Sequence, residues 1–180
     1  MKFCSQCGAG LSTRIPPGDN LPRFVCDTCQ TIHYQNPKIV AGCIPEWEGK
    51  ILLCRRAIEP RTGLWTIPAG FMEIGESTEQ AAIRETQEEA HAEVERVSLY
   101  AVLSLPRISQ VYVLFRGAMR APEFKAGTES LEVRLFTPHD IPWDDLAFPV
   151  VHEALQRYVQ DLSRGSFSVH LGDVFPLMKS

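Results

Sequence analysis

Residues 70–92 read GFMEIGESTEQAAIRETQEEAHA, and they contain a full set of helix-start signals. Ser77 followed three residues later by Gln80 is a capping box, in which each side chain satisfies a backbone N–H group at the start of a helix. The pattern predicts a helix from about Thr78 to Ala90. The residues just before Ser77 are therefore expected to form a loop that leads into this helix.

Three glutamates fall on one face of this predicted helix, because Glu85, Glu88 and Glu89 are spaced at i, i+3 and i+4. Like charges this close repel each other by roughly 0.2–0.5 kcal/mol per adjacent pair, and Arg84 offsets only part of that repulsion through Glu88. A bound divalent cation would resolve it, and hard carboxylate oxygens suit Mg²⁺ or Mn²⁺. A solvated acidic face without any ion is the alternative interpretation. The far side of the helix is expected to pack on a sheet through Ile83, Thr86 and Ala90.

The pattern outside this helix predicts an α+β architecture, with mixed sheets and helices packed against them. Two apolar runs flank Glu48-Gly49-Lys50 and should form a β-hairpin. A second helix is predicted from Val150 to about Leu162, with an inner stripe of Val151, Ala154, Leu155, Tyr158 and Leu162. The predicted strands are Ile39–Ile44, Ile51–Cys54, Leu64–Pro68, Val97–Leu105, Gln110–Arg116, Glu132–Phe136 and Phe167–Leu171.

Residues 1–36 differ from the rest of the chain, because they hold four of its six cysteines and few residues of core size. Such a segment cannot bury enough apolar surface to fold unaided. Asn36-Pro37 marks its boundary. The sequence therefore predicts two domains, residues 1–36 and 37–180.

The four cysteines of the first segment form two Cys-x-x-Cys pairs separated by 18 residues. This spacing suits two knuckles that close one tetrahedral four-thiolate zinc site, formed by Cys4, Cys7, Cys26 and Cys29. Since all four ligands come from the protein, the zinc is expected to be structural and to replace the missing core. Two disulfides or unligated thiols are the alternatives. Cys43 and Cys54 lie in apolar runs and are expected to be buried small hydrophobic residues.

The composition is that of an ordinary globular protein of 180 residues, with 44% hydrophobic and 22% charged residues. No run of about 18 apolar residues is present, so no membrane-spanning helix is predicted. The start, Met1 to Cys4, lacks the apolar stretch of a secretory signal, so we expect a cytoplasmic protein. The net charge of −4 argues against nucleic acid as a partner, and the first segment contains only three basic residues, Lys2, Arg14 and Arg23.

A known motif matches the chain from Gly70 onward at every charged position. Gly70 is followed after five residues by Glu76, and after a further seven by Arg84-Glu85-Thr86-Gln87-Glu88-Glu89. This order resembles the Nudix box, Gly-x5-Glu-x7-Arg-Glu-U-x-Glu-Glu-x-Gly-U, in which U is a bulky aliphatic residue. Thr86 and Ala92 depart from the pattern by replacing aliphatic residues, and His91 stands where the family has glycine. That glycine would end the helix in a left-handed conformation, which histidine adopts less easily.

The resemblance implies a Nudix-type α/β/α sandwich with a mixed sheet, preceded by a small zinc ribbon. It implies that Glu76 and Arg84 form a supporting ion pair that ties the loop to the helix. It also implies that Mg²⁺ or Mn²⁺ is bound by Glu85, Glu88, Glu89 and a main-chain carbonyl at or just before Gly70.

Many relatives add one more glutamate from a loop outside the box, as a metal ligand or a base. Glu129 precedes the predicted strand and is our choice for this residue, while Glu132 is the second candidate. An ordinary surface carboxylate is the alternative interpretation of each. A catalytic base at His91 also stays open, although a variant helix end is the simpler interpretation.

Nearly the whole chain resembles the FAD and ADP-ribose pyrophosphatase branch of the family, which combines an N-terminal zinc ribbon with a Nudix domain. The stretches that carry this resemblance are Tyr34–Pro37, Leu64–Gly70, Glu129–Glu132 and Leu146–Phe148. NADH pyrophosphatases also have a ribbon, but they carry a Ser-Gln-Pro-Trp-Pro-Phe-Pro motif that is missing after Ala92. The resemblance implies Mg²⁺-dependent hydrolysis of a diphosphate bond in a small nucleotide, with release of AMP.

Several alternatives stay open at this stage. They are an NADH pyrophosphatase, an enzyme that removes damaged nucleoside triphosphates, a nucleotide-binding regulator with a Nudix fold, and a zinc-ribbon adaptor. Arg55 and Arg56 close the predicted hairpin and could contact phosphate, and Arg55 is our choice of the two. Gln110 and Tyr112 share a strand face and are the other candidate substrate-binding residues. Surface arginine and core tyrosine are the plain alternatives. Family members are often dimers, so a homodimer is a further expectation.

Overall fold

The computed structural model describes residues 1–175, and the chain divides into two compact units, Met1–Asn36 and Pro37–Ser180. The first unit is a three-stranded antiparallel sheet in the order β1-β2-β3. Its strands are β1 (Leu11–Arg14), β2 (Arg23–Cys26) and β3 (Ile32–His33). No helix within residues 1–175 is both long enough and apolar enough to cross a membrane.

The second unit is built on one mixed sheet and two helices, as the sequence predicted. Its strands are β4 (Lys38–Trp47), β5 (Lys50–Arg56), β6 (Trp65–Thr66), β7 (Ala69–Phe71), β8 (Val94–Leu105), β9 (Gln110–Met119), β10 (Ser130–Phe136) and β11 (His170–Asp173). The helices are α1 (Thr78–Ala90) and α2 (Pro149–Arg164). Short 3₁₀ turns cover Pro106–Ile108, Pro138–Asp140 and Trp143–Asp145.

The sheet has the order β10-β5-β4-β9-β8-β11, and it opens between β4 and β5. These two strands pair only beside their hairpin turn, through Glu46 with Ile51 and Trp47 with Lys50. Beyond that point β6 pairs with β5 and β7 pairs with β4. The predicted strand Leu64–Pro68 is therefore only the two-residue strand β6, and β7 begins beyond its predicted end. The segment that leads into α1 enters through the opening. The β4–β9 and β8–β11 pairs are parallel, so the sheet is mixed.

The two helices cover opposite faces of the sheet, which confirms the predicted α/β/α sandwich. Alternate residues of β5 divide between the layers: Ile51 and Leu53 pack in the core beneath α2, whereas Leu52 and Cys54 pack in the core beneath α1. Cys43 and Cys54 are fully buried, as expected, and burial raises the pKa of both thiols. They are therefore inert core residues.

Two details of helix packing differ from the sequence interpretation. In α2, the predicted inner residue Leu162 is 36% exposed, and Asp161 is buried instead because it is hydrogen-bonded to His170 and Tyr100. In α1, Ile83 is likewise 36% exposed. The buried face of α1 is centred between residues 85 and 86 and consists of Ala81, Ala82, Glu85, Thr86, Glu89 and Ala90.

Candidate functional site

Both ends of α1 are capped by residues that the sequence singled out, Ser77 with Gln80 at the start and His91 at the end. The Gln80 N–H donates to the Ser77 hydroxyl over 3.1 Å and the Ser77 N–H donates to the Gln80 side chain over 2.8 Å, so the capping box is confirmed. At the other end His91 has φ 45° and ψ 33°, and its N–H donates to the Gln87 carbonyl. Histidine thus takes the left-handed position that glycine occupies in the Nudix box.

The Arg84 side chain joins the loop before α1 to the acidic face of the helix. Its Nε and one terminal nitrogen form a two-point contact with Glu76 at 3.0 and 2.8 Å. The other terminal nitrogen donates to Glu85 at 2.7 Å and to Glu88 at 3.0 Å. Hydrogen bonds from Arg84 lower the pKa of Glu76 to about 2, so this carboxylate is ionised throughout the neutral range. The guanidinium therefore fixes two carboxylates of the helix relative to the loop.

Two of the three box glutamates are buried rather than exposed, so this face of α1 is not the solvated acidic face of the alternative interpretation. Glu85 and Glu89 are 9% and 7% exposed, whereas the Glu88 side chain is 59% exposed. Burial, followed by the charges of Glu85 and Glu129, raises the pKa of Glu89 to about 8. Burial also raises the pKa of Glu85. The site therefore holds carboxylates whose negative charge is poorly compensated by the protein itself.

These carboxylates line a cleft of about 690 Å³, named here the acidic cleft. Glu129 lies in it, together with His91 and Gly70. Its oxygen donors and uncompensated negative charge are the features that fit a hard divalent cation. The acidic cleft could hold such an ion through Glu85, Glu88, Glu89 and Glu129.

Gly70 allows the Glu85 carboxylate to approach the backbone of the loop. A methyl group added at Gly70 would overlap all three atoms of that carboxylate. Gly127 plays a similar part on the other side, since a methyl group there would overlap the Glu88 carbonyl oxygen. The Gly127 N–H donates to the Glu89 carbonyl over 3.0 Å. The loop that carries Glu129 is therefore held against the end of α1.

Glu132 and Arg55, both singled out from the sequence, lie outside the acidic cleft. They face each other across the β5–β10 pair at 3.8 Å, and both side chains are nearly half exposed. The Arg55 Nε also donates to the Gly63 carbonyl over 2.8 Å. The next residue, Arg56, lines the acidic cleft instead. Successive residues of a strand point to opposite sides, so one step along β5 separates the two arginines.

A second cleft of about 450 Å³, named here the apolar cleft, adjoins the acidic one. Gln110 and Tyr112 line it, as expected from their shared strand face. The two clefts share a wall formed by Arg56, Pro60, Ala69, Gly70 and Phe71. Phe148 and Val150, at the start of α2, also line the apolar cleft, although neither was among the candidate substrate-binding residues. The cleft is thus assembled from residues far apart in the chain.

We expect the metal-free protein to lose stability as the pH rises from about 5 to 8. Glu89 has a folded-state pKa of about 8 against an ordinary value of 4.5, so the folded chain binds its proton more tightly than the unfolded chain. The contribution of Glu89 to the free energy of unfolding is fully present below its unfolded-state pKa of 4.5, and it is lost as the pH rises through about 8. Glu76 has a lowered pKa, so its contribution to stability grows as the pH rises, but this growth ends by about pH 5. Urea unfolding in EDTA at each pH measures the slope. The slope should flatten in Glu89→Gln, and an equal slope in the variant would contradict the assignment.

In the first unit the two cysteine pairs form a single cluster. Sulfur atoms of Cys4, Cys7, Cys26 and Cys29 all lie within 4.8 Å of one another. The Cys4–Cys29 and Cys7–Cys26 sulfur atoms are 3.6 and 3.5 Å apart, and all four cysteines are free thiols rather than two disulfides. His33 Nε2 lies 3.3 Å from the Cys4 sulfur. Four convergent sulfurs are the donor set of a tetrahedral thiolate metal site.

Two family models match the chain in tandem. The Nudix zinc-ribbon model, described as Nudix N-terminal, covers residues 2–35, and the NUDIX domain model covers residues 36–158. A NUDIX hydrolase from Nitrosomonas europaea, known from its crystal structure, is 58% identical in sequence. The match covers 97% of this chain and 99% of that one, with a TM-score of 0.93.

Two curated relatives carry more specific names. The NAD-capped RNA hydrolase NudC of Vibrio atlanticus is 35% identical over 172 residues, which is 92% of this chain and 60% of the relative. The ADP-ribose pyrophosphatase of Methanocaldococcus jannaschii is 33% identical over 113 residues, which is 61% of this chain and 67% of the relative. The chain thus spans about three fifths to two thirds of the length of these two relatives. Since the NUDIX domain model matches most of the chain and the box residues converge on one cleft, the protein belongs to the Nudix hydrolase family, with a Nudix zinc ribbon before its NUDIX domain.

Proposed function

We propose that this protein hydrolyses the internal diphosphate bond of FAD or ADP-ribose and releases AMP. The observation that carries the proposal is the junction of the two clefts: an acidic cleft suited to divalent cations shares a wall with an apolar cleft suited to an organic ring. A substrate that spans both must place a charged group beside a planar or apolar one. A nucleotide with an internal diphosphate has that order of groups.

The proposed cations are Mg²⁺ or Mn²⁺, held by Glu85, Glu88 and Glu89. When bound, they would neutralise the diphosphate and lower the pKa of a bound water. Arg84 holds Glu85 and Glu88 in place through its hydrogen bonds. The remaining main-chain ligand is proposed at or just before Gly70, which lines the acidic cleft.

The proposed reaction is a displacement at phosphorus without a covalent enzyme intermediate. The water oxygen forms a new bond to one phosphorus, the bond from that phosphorus to the bridging oxygen breaks, and the water gives up a proton. Glu129 is our candidate to accept that proton, because it lines the acidic cleft from a loop outside the helix. His91 also lines this cleft and stays the second candidate. Arg56 lines both clefts, so it is placed to contact the phosphates.

The substrate is tested by comparing kcat/KM for FAD, ADP-ribose, NADH and 8-oxo-dGTP at fixed Mg²⁺. We expect FAD or ADP-ribose to exceed both NADH and the triphosphate by at least about tenfold, which corresponds to about 1.4 kcal/mol of transition-state preference. A kcat/KM at least about tenfold higher for NADH or the triphosphate would show that assignment to the FAD and ADP-ribose pyrophosphatase branch is wrong. Hydrolysis by a Nudix enzyme would still be supported.

A NAD-capped RNA is the second candidate substrate. The relative that carries this activity in its name aligns with 92% of the present chain, ribbon included. NAD also contains an internal diphosphate, so the same bond would be cut. A short NAD-capped RNA added to the panel tests this candidate, which would be supported if it exceeded both FAD and ADP-ribose.

We also propose that the four cysteines bind one structural zinc ion, and we expect one equivalent of zinc per chain by elemental analysis. Cys26→Ser should lose the zinc and loosen residues 1–36 first, because the metal substitutes for a core in this unit. Cys43→Ala is the matched control, since Cys43 is equally buried but lies in the sheet of the second unit. Protein purified without chelator that contains no zinc, with its thiols free to react, would contradict the assignment.

A further inference from the structure

The two clefts differ sharply in charge. Six glutamates and two arginines line the acidic cleft, whereas three arginines and no carboxylate of residues 1–175 line the apolar cleft. The protein as a whole has a net charge of −4, so this positive charge is local. A cleft with apolar walls and unopposed arginines favours an organic anion.

Arg56 is the only one of these three arginines that reaches both clefts. Its Nε donates to the Pro60 carbonyl over 2.9 Å, and its guanidinium lies 5.0 Å from the centre of the Phe148 ring. It is thereby fixed beside the shared wall, where the diphosphate is proposed to lie. The other two, Arg61 and Arg107, line the apolar cleft alone.

The side chains of Arg61 and Arg107 have no hydrogen-bond or ion-pair partner within residues 1–175. Eight other arginines form ion pairs. Arg134 and Arg164 likewise have no hydrogen-bond or ion-pair partner in the described part of the chain, but they line neither cleft. Both residues are exposed although they line the cleft, so they lie at its mouth. Their positive charges are therefore available to a ligand.

Both arginines are held on tight turns. Arg61 has φ 71°, and its carbonyl accepts a hydrogen bond from the Leu64 N–H. A left-handed conformation costs a residue with a side chain roughly 1–2 kcal/mol, so glycine would be favoured there on backbone grounds alone. Arg107 lies in the 3₁₀ turn Pro106–Ile108, which the Ser109 N–H closes onto the Pro106 carbonyl. These turns fix the backbone from which both side chains extend.

We infer that Arg61 and Arg107 bind an additional phosphate monoester, carried on the ribose of the substrate half that occupies the apolar cleft. Neither FAD nor ADP-ribose carries a phosphate monoester on a ribose. The inference therefore deepens the proposed function by naming ribose-phosphorylated dinucleotides as a further substrate class, and it rests on that function for the orientation of the substrate. In the proposed function, Arg56 and the cations of the acidic cleft neutralise the charge of the diphosphate. Arg61 and Arg107 are therefore not required for that group. Two guanidinium groups match the charge of a phosphate monoester, about −1.5 to −2 at neutral pH, better than the single charge of a diester.

Binding measured by calorimetry in EDTA tests this inference without any turnover. The ligands are AMP, adenosine 2′,5′-bisphosphate and adenosine 3′,5′-bisphosphate, so that the two isomers show which ribose position is recognised. At least one bisphosphate should bind about tenfold or more tightly than AMP. The double variant Arg61→Gln/Arg107→Gln should abolish that preference and keep AMP affinity within about twofold. Arg164→Gln is the matched control, since Arg164 ends α2 whereas the cleft lies at its start.

Three outcomes would overturn the inference. The first is equal affinity for AMP and both bisphosphates. The second is an equal loss of affinity for all three ligands in the double variant. The third is that a 3′-phosphodiester such as pApU binds as tightly as adenosine 3′,5′-bisphosphate. The second outcome would assign the two arginines to the 5′-phosphate itself.

Turnover separates this inference from the proposed function. Hydrolysis of ADP-ribose by a protein that shows no bisphosphate preference would support the proposed function and overturn the inference. A bisphosphate preference that the double variant abolishes, in a protein that hydrolyses no dinucleotide, would support the inference about the cleft and overturn the proposed function.

Discussion

Replacing Glu89 by glutamine is expected to lower kcat by at least about 100-fold while the fold stays intact. Loss of an outer partner of a metal ligand typically costs about 10–100-fold, and a direct ligand should cost no less. The same substitution removes a buried carboxylate whose pKa is raised to about 8 by burial and by neighbouring carboxylates. The metal-free variant should therefore be more stable than the parent at pH 8, because it no longer carries a poorly compensated buried charge.

The matched control for this prediction is Glu79→Gln. Glu79 lies in the first turn of the same helix, is exposed, and does not line either cleft. Its kcat should stay within about twofold of the parent. Near-normal turnover of Glu89→Gln at saturating Mg²⁺ would remove Glu89 from the catalytic machinery, whatever its effect on stability.

Gly70→Ala is the second change with a large expected effect, and it acts through Glu85. The added methyl group would overlap the Glu85 carboxylate, which lies at the end of a flexible side chain and can swing away. The protein should therefore fold normally but hold Glu85 out of position, so kcat should fall by at least about 100-fold. The Mn²⁺ concentration needed for half-maximal activity should rise as well.

Gly172→Ala is the control for this substitution. A methyl group at Gly172 would make only ordinary contacts, the nearest being 3.4 Å from an Arg157 nitrogen. An unchanged kcat and unchanged Mn²⁺ dependence in Gly70→Ala would show that the close approach of Glu85 to the loop does not matter for catalysis.

The helix that carries the glutamates was predictable because its signals are local. Ser77 and Gln80 form the capping box, and the spacing of the three glutamates places them on one face. The rotation of that face relative to the sheet was not predictable from spacing alone. Ala81 and Ala82 are small and let the helix approach the sheet closely, which buries Glu85 and Glu89 at the edge of the contact. Tertiary packing therefore determines which carboxylates lose solvent.

The clefts depend on contacts between distant parts of the chain, so the sequence indicated them only in part. Gln110 and Tyr112 share a strand face and do line the apolar cleft. The choice between Arg55 and Arg56 depended on which side of β5 faces the opening of the sheet, and this is set by pairing with β6 and β10. Phe148 joins the cleft only because α2 begins beside that opening.

The most direct test of the proposed function is the release of AMP from ADP-ribose, measured with Mg²⁺ and with excess EDTA. We expect AMP and ribose 5-phosphate in equal amounts with Mg²⁺, no release in EDTA, and recovery of the activity when Mg²⁺ is restored in excess. The zinc ion proposed for the first unit should stay bound during this short treatment if the loss and recovery of activity reflect the acidic cleft. Elemental analysis of the same sample checks this. AMP release that persists undiminished in EDTA, or no release from ADP-ribose or FAD at any Mg²⁺ or Mn²⁺ concentration, would contradict metal-dependent hydrolysis of these substrates at the acidic cleft.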